Sequence, residues 1–159
     1  MTEQTAASAP QINRVAIFGA VAAGLIEVAY IASTLRAIDM GAGLVVATGP
    51  STAALTFLSV VTVVCLVAAF YPLHELRVVL LAAAAFSCLL LGLTIPPTGF
   101  ALWIPAALAA LAMPAEMPYW TKQHGLAIVW GGIVGLLFVL ATWVIAMRDA
   151  AATATPPAL

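Results

Sequence analysis

Between Arg14 and Arg36 the sequence runs from 15 to 35 with a single charged side chain, Glu27. Four more stretches of this kind follow, at 51–71, 78–95, 99–115 and 125–147. Prolines or charges mark their ends: Pro50 and Pro72 flank the second, Arg77 and Pro96-Pro97 the third, Glu116 closes the fourth and Arg148 the fifth. A helix crosses bilayer hydrocarbon in roughly 20 apolar residues, within a range of about 17–25. Of the 159 residues, 65% are hydrophobic and 7% charged, against about 25% charged in a soluble domain. Such a chain cannot cover itself with polar surface in water. These runs predict an all-α integral membrane protein, an up-down bundle of five transmembrane helices.

The fourth stretch leaves an alternative open. It lies at the short limit, and Pro105 has no N–H to offer the carbonyl of Ala101. It could instead be a re-entrant segment beside four spanning helices, with its backbone covered by protein. The short linker "PPTG" favours a tight antiparallel turn, and so five crossings. Residues 1–13 and 149–159 lack the apolar content to fold and are expected to be disordered tails around one bundle, 14–148. The start has no basic n-region, so the first helix is expected to be retained rather than cleaved. With five crossings, Arg14, Arg77 and Lys122 share one side, and Arg36 and Arg148 the other. That bias points to a cytoplasmic N-terminus in a plasma (inner) membrane. A net charge of −1 excludes a basic field for nucleic acid. The expected partners are the lipid bilayer, further copies of the chain as a homo-oligomer, or a larger membrane complex.

Glu27 is the feature this frame does not absorb. Arg36 and Arg14 lie nine and thirteen residues away, more than about 13 Å along a helix. The five stretches contain no Lys, Arg or His, so nothing in the hydrocarbon neutralises a carboxylate. An ion there is costly enough that Glu27 is expected to keep its proton at neutral pH and to donate a hydrogen bond across the bundle. Antiparallel helices bring Ser59, Thr62 and Ser87 to a similar depth. Tyr30 and Thr34 follow on the same helix. Ala20 and Gly24 precede it, and such small residues allow close helix approach, which places Glu27 in the bundle interior. Glu27, Tyr30, Thr34, Ser59, Thr62 and Ser87 form the candidate proton or binding site. No catalytic residue is assigned, because a lone acid lacks the second group that acid–base chemistry uses.

Other motifs carry less. Gly131 and Gly135 form a GxxxG that predicts close helix packing. Cys65 and Cys88 lack C-x-x-C spacing and read as small apolar fillers. His74 and His124 border the third and fifth stretches near Glu75 and Glu116, but no H-E-x-x-H is present, so no metal or other cofactor is expected. The "IEV" at Glu27 and, loosely, "IPPTGFALW" resemble small multidrug-resistance transporters. That likeness implies a proton-exchanging glutamate serving cationic drugs. The extra segment, the longer second loop and the order of helices depart from that pattern, so the likeness reaches Glu27 alone. Three functions remain. The first is a non-enzymatic accessory or scaffolding bundle that packs with itself or a partner. The alternatives are a proton-coupled small-molecule transporter or binder using Glu27, and a lipid-phase enzyme with Glu27 as general acid.

Overall fold

The computed structural model describes residues 12–39, 44–94, 98–116 and 122–154. It is all-helical over those residues, with five α-helices and no strand. They are α1 (Arg14–Asp39), α2 (Leu44–Phe70), α3 (His74–Thr94), α4 (Trp103–Glu116) and α5 (Lys122–Ala154), and a 3₁₀ segment, Thr98–Leu102, leads into α4. Four of them, α1, α2, α3 and α5, contain stretches long and apolar enough to cross a membrane. The fourth stretch is the shorter apolar helix Gly99–Pro114.

The helix ends differ from the apolar boundaries for local reasons. Asn13, placed by the sequence in a tail, is the N-cap of α1: its Oδ1 accepts the Ala16 N–H at 3.1 Å, satisfying one of the donors that a helix start leaves open. α2 begins at Leu44 and carries its helix through Pro50. α3 begins at His74 rather than 78, its polar first turn holding Glu75, an acid favoured by the N-terminal dipole. Pro105 falls in the first turn of α4, where a missing N–H costs little, and the chain before it tightens into the 3₁₀ turn. α5 runs past Arg148 to Ala154, so helix extends into the stretch expected to be a tail.

One end of the bundle fixes the topology. The backbone N–H of Asn13 donates to the Ala69 carbonyl at 3.2 Å, and its side-chain Nδ2 donates to the Ala112 carbonyl at 3.1 Å. The start of α1 therefore meets the ends of α2 and α4. At the far end Gly99 packs against the backbone of Gly92 in α3. The 3₁₀ turn and α4 thus return antiparallel to α3, toward the end where Asn13 meets Ala112. Helices α1, α3 and α5 run one way, α2 and α4 the other. Asn13→Ala removes both the cap and the tie to α4, and is expected to cost about 1–3 kcal/mol. Thermal unfolding in mild detergent checks this.

Small residues make up much of the interior, and many large ones face out. The core joins Ala16, Ala20 and Ala23 of α1 to Ala68, Ala84, Ala106, Ala109 and Ala112, with Phe57, Leu81 and Leu91 between them. Phe18, Leu25, Val63, Leu111, Leu137 and Trp143 are all exposed. α3 is central, with 56% of its span buried against 22% for α1 and α5. Its run Ala82–Ala85 is covered on every side by α2, α4 and α5, as expected of a helix without a polar face. Phe57 of α2 stacks on Phe138 of α5, ring centroids 5.1 Å apart.

Candidate functional site

Glu27 lies thirteen residues into the apolar span that starts at Arg14, about 20 Å along it at helical rise. The Ser59 hydroxyl of α2 donates to Glu27 Oε1 at 2.5 Å. This contact joins two of the six site residues chosen from sequence. Ser59 is exposed and Glu27 and Tyr30 are half-buried, so the pair sits in the outer seam of α1 and α2, not in the bundle interior.

The reason is the reach of α4. The buried stripe Ala16, Gly19, Ala20, Ala23 leads along α1 toward Glu27 at helical spacing. Gly19 faces Leu108 and Ala109 of α4. Counting antiparallel from that contact brings Trp103, where α4 begins, level with Ala23–Leu25. Beyond it, among the described residues, α1 is flanked by α2 and the 3₁₀ turn. Gly24 shows this directly: a Cβ added there would meet nothing within 4 Å. Ala20 is packed in the core, whereas Gly24 makes no close helix contact.

The remaining candidates disperse. Thr62 is half-buried, and its hydroxyl donates to its own helix at the Leu58 carbonyl, 2.9 Å away. Ser87 is buried on α3 and donates to the Ala84 carbonyl at 3.1 Å. Its backbone N lies against Gly135 of α5, so it belongs to the α3–α5 contact. Such bonds commit each hydroxyl's one donor to its own helix and leave only acceptor lone pairs. The side chain of Thr34 lies outside the described residues. Gly131 and Gly135 both press on α3: a Cβ at Gly131 would sit 2.5 Å from Ala82 Cβ, and one at Gly135 would sit 2.8 Å from the Ala83 carbonyl. Among the described residues no three of His, Cys, Asp and Glu are grouped to hold a metal. Cys65 and Cys88 are free thiols in the core.

Two polar residues that sequence reasoning left at the margin are central here. Among the described residues Arg77 is the largest fully buried side chain, 1% exposed, and its Nε donates to the Tyr71 carbonyl. It thereby reaches from the first turn of α3 to the C-terminal end of α2, where a cation is favoured by the helix dipole. Asn13 is 5% exposed and ties three helices at the same end. The Asn directly before an apolar helix was a readable N-cap signal. Nothing local in "LHELR" marks Arg77 as buried. Comparison with protein-family models, with curated proteins and with solved structures finds no match to this chain.

Proposed function

We propose that this chain is a non-enzymatic membrane bundle, accessory or scaffolding in role, that packs with itself or a partner along the α1–α2 seam. The observation that carries this is the half-exposed Glu27–Ser59 pair beside the open face at Gly24. An acidic side chain at the centre of a membrane helix costs about 2.5–3.5 kcal/mol on insertion scales. Cover by a second chain bearing hydrogen-bonding groups offsets that cost. The exposed large apolar side chains around the bundle support a lipid surround. The antiparallel packing of α4 on α3 favours five crossings over a re-entrant segment. A cytoplasmic N-terminus rested on three basic residues against two. Arg77 is taken up inside the bundle, and without it Arg14 and Lys122 balance Arg36 and Arg148.

The transport and enzyme alternatives call for further candidate groups to converge on Glu27. Thr62 and Ser87 have turned to their own helices, and general acid–base catalysis needs a second group within hydrogen-bond reach of the substrate.

Purification in mild detergent with light scattering tests the assignment. The wild-type chain is expected to run above its own 16.3 kDa, as a homo-oligomer or with a stoichiometric partner. Glu27→Leu is expected to release a lone chain, and Glu27→Gln, which still hydrogen-bonds, to keep the assembly. A monodisperse monomer from wild-type membranes overturns the proposal.

A further inference from the structure

Helices α3 and α5 are parallel neighbours that start at the same end of the bundle. They close on each other at Gly131, which meets Ala82 and the Val79 carbonyl. Toward their N-terminal ends they part, leaving an open groove of about 770 Å³, within the range of about 300–1,000 Å³ found for small-molecule sites. Its mouth carries His74, Glu75 and Gln123, and its walls are Leu76, Val79, Leu126 and Trp130. Polarity therefore falls from mouth to floor, as it does along a lipid at the bilayer interface. Trp130, 56% exposed, has the amphipathic ring that settles at that level.

We infer that this groove holds a zwitterionic phospholipid whose headgroup ends in a primary ammonium. The inference rests on the membrane placement proposed above and not on the α1–α2 contact. Charge complementarity selects the occupant. The Glu75 carboxylate accepts N–H donors from a primary ammonium, which a trimethylammonium cannot supply. The Gln123 amide can donate to the phosphate. A glycerol headgroup, with no cation to set against Glu75, brings only a net negative charge to it. The acyl chains run down past Leu76, Val79 and Leu126. Neither Ser59 nor Glu27 lines the groove.

Quenching of Trp130 tests this directly. Full-length protein carrying Phe at Trp103, Trp120 and Trp143 would be reconstituted in phosphatidylcholine vesicles. Rising fractions of acyl-brominated phosphatidylethanolamine, phosphatidylcholine or phosphatidylglycerol would then be added. Half-maximal quenching is expected at about fivefold lower mole fraction for the ethanolamine lipid, the size of one partly exposed ionic contact. Glu75→Gln is expected to bring the ethanolamine curve onto the choline curve. Gln123→Leu is expected to weaken both lipids while leaving an ethanolamine preference. Coincident curves for wild type, a preference for phosphatidylglycerol, or an ethanolamine preference that survives Glu75→Gln each overturn the inference. Failure to reconstitute at all would instead remove the membrane placement on which it stands.

Discussion

Arg77→Ala is expected to destabilise the bundle by about 2–5 kcal/mol, the range for emptying a large buried site. Two losses combine. The guanidinium no longer donates to the part-buried Tyr71 carbonyl at the end of α2, and losing a hydrogen bond to a charged group costs about 1.5–3 kcal/mol. The alkyl stem also leaves a void among the most deeply buried side chains of the protein. Removal of a desolvated cation works in the other direction, since burying a charge is itself unfavourable. Arg77→Met separates the contributions, because it fills the volume without donating. It is expected to fall between wild type and Arg77→Ala. Thermal unfolding in mild detergent, followed by far-ultraviolet circular dichroism, gives the comparison. If Arg77→Ala melts with wild type, Arg77 does not join α3 to α2.

What the sequence displayed of this fold follows from the solvent the apolar runs imply. In lipid a helix needs continuous apolar surface, so the runs at 15–35, 51–71, 78–95 and 125–147 each mark a helix. Their ends are set by other forces. His74–Arg77 and residues 149–154 are helical but polar or small, and hydropathy passes over them. Pro105 was visible, but its position in the first turn of α4 depends on where the 3₁₀ turn hands over. Glu27 and Ser59 were both picked out, and they do meet. Their side of the bundle was not legible, because a lipid-facing helix has apolar residues all round and little amphipathic contrast. The small-residue stripe from Ala16 to Ala23 points correctly along α1 toward Glu27. What ends near Trp103 is the neighbouring helix, and no residue of α1 records the length of α4.

Gly131→Leu is expected to have the other large effect, and glycine substitutions along α1 and α5 make the test quantitative. At Gly131 even a single Cβ would lie 2.5 Å from Ala82 Cβ and 2.6 Å from the Val79 carbonyl, too close for α3 and α5 to keep their spacing. Overpacking of this kind costs typically about 1–3 kcal/mol, occasionally more, so Gly131→Ala is expected in that range and Gly131→Leu at or above its upper end. Gly132→Ala is the internal control. Its Cβ would touch the Phe86 ring at 3.5 Å, an ordinary contact, and alanine is the better helix former by up to about 1 kcal/mol. Gly24 supplies the opposite case. A Cβ there meets open space, so Gly24→Leu is expected to leave the melting of the lone chain unchanged. Under the proposed function it should nevertheless weaken the assembly seen by light scattering, because the space it fills is the space a second chain would take. Equal melting of Gly131→Ala and Gly132→Ala would show that α3 and α5 do not meet in this register. A Gly24→Leu protein that assembles as wild type would move the contact away from this face of α1.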